Sequence, residues 1–171
     1  MVHYLDELDS QPAPVPSSRR VLAALGPKML ALAAERAAGA HPYFVPVEHT
    51  AVARQALGSE PKLIPEQAVV LETDPERART LARGHMASYL RLPNYTNNLR
   101  RFGYEDHDFK LGGSDRLVDA IVAWGEPSVV RARVDAHMSA GADQVLVQVI
   151  TENVDEFPRN EYRVLAAALL D

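Results

Sequence analysis

The alternation of hydrophobic and polar positions is clearest between residues 19 and 46, RRVLAALGPKMLALAAERAAGAHPYFVP. Arg20–Leu25 is a short apolar run of the kind that makes a strand buried on both faces. Gly26-Pro27 breaks that run, and proline is favoured at the first position of a helix. Met29, Leu30, Leu32, Ala33 and Ala37 then recur at helical spacing, and Gly39 is predicted to close the helix. Ala40–Val45 is the next apolar run, ended by Pro46. Strand, helix and strand within so short a span predict a βαβ unit, with parallel strands and a right-handed crossover.

The pattern continues in the same sense. Val47–Leu57 is helical up to Gly58, SEPKLIP reads as a loop, and Glu66–Glu72 is a third apolar strand. Thr73-Asp74-Pro75-Glu76 is a helix start: Thr73 or Asp74 caps it, Pro75 fits the first turn, and Glu76 suits the dipole. That helix is expected to stop before Pro93, and a short helix over 94–102 leads into an acidic, glycine-containing loop. Ser114 or Asp115 caps a helix, RLVDAIVAW, expected to run up to Gly125. Pro127 opens another, with Val129, Val130, Val134 and Met138 on its buried side and Gly141 at its end. Asp143–Ile150 is a fourth strand, and an amphipathic helix over Asn160–Leu170 follows.

Residues 1–18 stand apart, as a helix tail followed by the Pro/Ser linker QPAPVPSS, from a single domain over 19–171. A chain that opens on a helix tail is expected to lack a preceding segment. Strand and helix alternating four times predict a parallel sheet covered by helices. The pattern accommodates an open doubly wound sheet or part of a β/α barrel. A complete barrel takes eight strands and typically about 250 residues.

With 171 residues, 47% hydrophobic and 24% charged, the composition is that of a globular protein with one sizeable core. A net charge of −5 argues against a nucleic-acid partner held by phosphate contacts. No apolar run approaches the roughly 18 residues of a membrane span, and no signal-peptide pattern opens the chain. The absence of cysteine removes disulfides and thiolate zinc sites, and the cytoplasm is the expected compartment. His85, His107 and His137 lack HExxH or any similar ligand spacing, so no metal site is expected.

RRVLAALGPKMLALAAERAAGAHPYFVP with the following EHT, then PEQAVVLETDPERAR, LPNYTNNLRRFGY, SDRLVDAIVAWGEP and AGADQVLVQV together resemble the luciferase-like monooxygenase superfamily. More narrowly, they resemble its deazaflavin (coenzyme F420)-dependent oxidoreductases. The resemblance covers nearly the whole chain, but only the C-terminal half of those proteins. It implies half of a (β/α)8 TIM-type barrel, with four parallel strands resembling strands five to eight and inserted helices between them. In the family the other half supplies much of the pocket around the cofactor ring, including a strained non-proline cis peptide, and groups that act on substrate. The resemblance thus implies hydride transfer between a deazaflavin and a small organic substrate; FMN-dependent relatives are monooxygenases instead.

The family's turns after strands five and six lie near the cofactor's phosphate-bearing tail. They correspond here to Leu25-Gly26-Pro27-Lys28 and His41-Pro42-Tyr43. The candidate cofactor-binding residues are therefore Gly26, Pro27, Lys28, His41, Tyr43 and His49. Glycine admits close backbone approach, a helix N-terminus attracts anions, and Lys28 adds charge. On pattern alone Gly26-Pro27 serves equally to turn the chain into its helix. His49 opens a helix where it could bond a phosphate or a substrate group, and could equally be structural. Tyr43 suits either the pocket or the core. Glu66 and Glu72, six residues apart, share strand parity and form a candidate carboxylate pair, or else two solvated strand ends. Asn94, Tyr95, Asn97 and Asn98 make a polar patch in the inserted helices.

Four barrel strands leave two open edges and an uncovered apolar inner face, which favours association. The expected partners are a second copy of the chain or a separate N-terminal-half chain, besides the small-molecule substrate. The competing expectations are a non-catalytic cofactor-binding or structural subunit, and a fragment of a longer barrel.

Overall fold

The computed structural model describes residues 1–153 and 155–170. It contains helices α1 (Val2–Asp9), α2 (Pro27–Arg36), α3 (Val47–Leu57), α4 (Pro75–Tyr89), α5 (Pro93–Arg100), α6 (Asp115–Ile121), α7 (Pro127–Ser139) and α8 (Arg159–Leu169). Its strands are β1 (Val21–Ala23), β2 (Gly39–His41), β3 (Lys62–Leu63), β4 (Glu66–Val70), β5 (Val122–Trp124) and β6 (Leu146–Val149). They form two three-stranded sheets, ordered β1-β2-β3 and β5-β4-β6, and every pairing is parallel.

The two sheets share one stretch of chain, residues 62–70, interrupted at Pro65. Successive residues of a strand turn their peptide groups to opposite sides. On one side the amides of Lys62, Ile64 and Glu66 donate to the carbonyls of Ala38, Ala40 and Pro42 at 2.8–2.9 Å. On the other, the carbonyls of Leu63, Pro65 and Val69 accept from Asp143, Leu146 and Ile150 at 2.8–2.9 Å. Beyond the reach of β2, β5 takes over the first side, where Gly125 donates to the Val70 carbonyl at 3.1 Å.

Four sequence expectations are corrected. Gly39 does not close α2, which ends at Arg36; it lies in β2, where an added Cβ would come within 2.3 Å of the Lys62 carbonyl oxygen. Within SEPKLIP, Lys62–Leu63 is strand rather than loop. RLVDAIVAW is not one helix: Val122–Trp124 leaves α6 to pair with β4. On α7, Val130 and His137 are the fully buried residues, while Val129 and Met138 are 49% and 43% exposed. The expected helix starts are present, with Asp74 accepting from the Arg77 amide and Ser114 from that of Leu117.

Ala24, just past β1, with Ala40 of β2 and Leu63 of β3, packs under α2 and α3 with Leu30, Ala33 and Leu57. Val69 and Ala123 pack with Val130 of α7 and Leu165 of α8. The opposite face of β4, with Ala68 and Val70, is covered by α4–α6 through Met86, Leu99, Leu117 and Ile121. On the edge of β6 away from β4, the Tyr162 hydroxyl of α8 bridges the Val147 carbonyl and the Val149 amide, both at 3.4 Å. α1 is tied down by Arg36, which reaches Asp6 and Asp9 at 2.8 Å, and by Arg20, which pairs with Asp9.

His137 anchors a buried polar chain between α3, β4 and α7. Gln67 Nε2 donates to the carbonyls of Ala68 and Ile121, so its Oε1 accepts from His137 Nε2 at 3.1 Å. His137 Nδ1 is then left to accept from the Thr50 hydroxyl at 2.8 Å. Burial, followed by the nearby Arg133 and His49, pushes the imidazole down to about 4. Between that value and the unfolded value of 6.5 only the unfolded chain takes up the proton, so stability falls as pH drops through the window. His137 alone contributes a loss on the order of 3 kcal/mol between pH 7 and pH 4. Urea midpoints measured across that range are expected to show a shallower acid limb for His137→Gln than for the parent. Gly39→Ala, which forces a methyl against the β3 backbone, is expected to cost about 1–3 kcal/mol in the same assay.

Candidate functional site

In parallel α/β folds, ligands collect at the carboxyl ends of the strands, and here a cavity of about 460 Å³ opens at the ends of β1 and β2. Its floor comes from Ala23, Ala24, Leu25, Gly26, His41 and Tyr43, and its other wall is α5, which contributes Asn94, Tyr95, Asn97 and Asn98 and, just past its end, Arg101. A side slot of about 210 Å³ runs between α2, α3 and α5; Leu25, Asn98 and Arg101 line both compartments.

The sequence candidates divide between these spaces. Gly26, His41 and Tyr43 line the main cavity, Pro27 and His49 line the slot, and Lys28 is exposed and lines neither. Gly26 is the N-cap of α2 and, lacking a side chain, leaves the helix start without a side-chain cap. Its carbonyl accepts from Met29 and Leu30 at 3.0 Å. The positive end of the helix dipole therefore abuts the cavity.

His49 is a strut rather than a phosphate donor. Its Nε2 lies 2.8 Å from the Leu25 carbonyl, which can only accept, so Nε2 carries the proton and Nδ1 keeps a lone pair. Nδ1 is buried without a partner, and the ring packs on Phe102 at 5.6 Å. Burial lowers the imidazole's affinity for a second proton, against the Leu25 bond and with the help of Arg101. As placed, His49 has no N–H left for an anion; it holds the Leu25–Gly26 turn. His41 is similarly engaged through Nδ1, 2.6 Å from the Ile64 carbonyl.

Tyr43 belongs to an aromatic cluster with Phe44, Tyr89, Tyr95 and His85. Its hydroxyl donates to Gln148 Oε1 at 2.8 Å and lies 2.9 Å from that of Tyr89. Burial first, then the Tyr89 bond and the nearby Glu66, raise the phenol so far that Tyr43 is neutral throughout the working range. The carboxylate pair does not form. β4 ends at Val70, Glu66 is buried, and Glu72 bonds Arg77 at 3.2 Å.

Two residues on the α5 side bring polar groups to a largely apolar cavity. Asn98 is only 4% exposed, yet neither atom of its amide has a hydrogen-bond partner. Arg101 forms no ion pair among the described residues, and its Nη1 lies 3.7 Å from where a Cβ on Gly26 would be. Sequence reasoning flagged the asparagines but passed over Arg101. The signal was the spacing: Asn94, Asn98 and Arg101 fall at i, i+4 and i+7, one face of a helix. Among the described residues no cluster suited to a metal ion occurs, and no helix is long and apolar enough to cross a membrane.

This arrangement, parallel strands ending at a cavity roofed by inserted helices, is accompanied by a family match over residues 2–144: the chain belongs to the luciferase-like monooxygenase family. No curated protein sequence matches it. Among solved structures it is similar to the coenzyme F420-dependent tetrahydromethanopterin reductase of Methanopyrus kandleri, with a TM-score of 0.64 and 18% identity over 86% of this chain and 48% of that one. An F420-dependent secondary alcohol dehydrogenase, solved with an F420–acetone adduct, gives 0.60 and 10% over 88% and 48%. The oxygenating constituent of 3,6-diketocamphane monooxygenase from Pseudomonas putida, solved with FMN, gives 0.53 and 18% over 88% and 45%. The chain thus spans about half the length of the enzymes it resembles.

A buried amide with nothing to bond is a cost to the free protein that a ligand can relieve. Asn98→Leu is therefore expected to raise the free protein's stability by about 1 kcal/mol in urea titrations, while weakening whatever ligand the cavity holds.

Proposed function

We propose that this chain is the cofactor-binding half of a deazaflavin-dependent oxidoreductase, a half-barrel equivalent to strands five to eight of its relatives. The observation that supports it best is the cavity where the uncapped start of α2, the unpaired Arg101 and the unpartnered Asn98 converge. Such a set fits coenzyme F420: Arg101 and the α2 dipole would hold an anionic tail, and Asn98 a polar group beside it. Tyr43 and Tyr95 would wall the apolar part and keep water out. When bound, the deazaflavin supplies hydride chemistry with a small organic substrate; the chain's own residues bind, orient and desolvate. Lys28 has no part in this reading, because it lies outside both compartments.

The same reading includes association. β1 is bonded on one side only, and Val21 and Leu146, at opposite ends of the strand array, are 46% and 42% exposed. A second copy or a complementary half-barrel would cover that face and complete the ring pocket. An assembly of this kind, without cysteine or spanning helices among the described residues, suits the cytoplasm.

The test is a fluorescence titration with F420, with FMN alongside, at two protein concentrations. Saturable F420 binding that tightens as the protein associates is expected, with Arg101→Gln weakening it about tenfold and Lys28→Gln by less than about twofold. Preference for FMN would move the protein to the oxygen-using branch. Binding without turnover would identify a non-catalytic subunit, and no binding of either would refute the proposal.

A further inference from the structure

Phe44 is one of two described non-glycine residues with positive φ, at 59°, a conformation that costs an L-residue energy and needs support. Its ring carries the cavity wall: it stacks on Tyr89 at 5.1 Å and meets Tyr95 edge-on at 5.4 Å. Its amide donates to Glu66 Oε2 at 3.3 Å. Glu66 is 5% exposed, and its other carboxyl oxygen is buried with no partner.

We propose that Glu66 is a positioning residue for the cavity: through the Phe44 amide its carboxyl fixes the left-handed turn behind Tyr43. The idea goes beyond the cofactor reading and borrows from it only a probe ligand.

The titratable groups that face Glu66 are Tyr43 from the β2 side and Tyr95 from α5, with Tyr89 and His85 of α4 behind Tyr43. None of these phenols carries a positive charge to offset an ionised carboxylate. Burial therefore dominates and pushes Glu66 up to about 7, opposed only by the Phe44 bond. The neutral carboxyl's contribution to stability is complete below the unfolded value of 4.5 and is lost as pH rises through about 7. That trend runs opposite to the one from His137. Above neutrality the carboxylate accepts the Phe44 amide more strongly, but it leaves a buried, uncompensated anion behind the wall, which repels an anionic ligand.

Glu66→Gln keeps an acceptor for the Phe44 amide but cannot ionise; Glu66→Met removes the acceptor. The ¹⁵N–¹H signal of Phe44 is expected to titrate near neutral pH in the parent and to stay flat in Glu66→Gln. F420 should bind the parent at least about threefold tighter at pH 6 than at pH 8. Glu66→Gln should bind equally at both and match the parent's tighter value, and Glu66→Met should bind more weakly throughout. An inflection that persists in Glu66→Gln would belong to another group and would overturn the proposal, as would a Phe44 signal that ignores Glu66. A Glu66→Met protein that fails to fold leaves the decision to Glu66→Gln. If F420 binds at no pH, the cofactor reading fails, and the Phe44 titration still decides this one.

Discussion

Nine residues of backbone, 62–70, hold the two sheets together, because a strand offers its peptide groups alternately to left and right. β2 and then β5 use one side; the segment around β6 uses the other. Pro65 fits this role, since it lacks an amide hydrogen but still gives its carbonyl to Leu146. The helices follow from the same constraint. α2 and α3 cover β1–β3, α7 and α8 cover β4–β6 from one side, and α4–α6 close the other. The cavity lies where β1 and β2 end and α5 passes over them.

Polarity inside this frame is distributed unevenly. The chain Thr50–His137–Gln67 is satisfied and fixes one tautomer of its histidine. Asn98, His49 Nδ1 and one oxygen of Glu66 are buried with nothing to bond. All three belong to or adjoin the cavity and its walls, where a fold tuned only for stability would have placed carbon.

Much of the architecture was legible in the sequence, because the parallel strands fall in short apolar runs and every helix after α1 begins at or directly after a proline or a capping residue. The errors have physical causes. Val122–Trp124 continues the helical periodicity of α6, and only the chance to bond with β4 turns it into strand. Gly39 looks like a helix terminator because both terminators and close strand contacts need a missing side chain. The cavity's lining was legible in its turns, Gly26, His41 and Tyr43, but not in its charge. Lys28 is adjacent in sequence and points elsewhere, whereas Arg101 arrives from a helix more than seventy positions later. Charge in a turn can be read locally; convergence from an inserted helix cannot.

Tyr162 gives the sheet an unusual ending. A backbone edge normally stops because nothing is beside it, yet β6 stops at a phenol that serves one carbonyl and one amide together. In the language of polymers it is a chain terminator, a monofunctional cap on a ladder that would otherwise accept another unit. Because the cap is carried by α8, whose Leu165 packs against Val69, Ala123 and Val130, the edge is closed by the same helix that completes the core on this side.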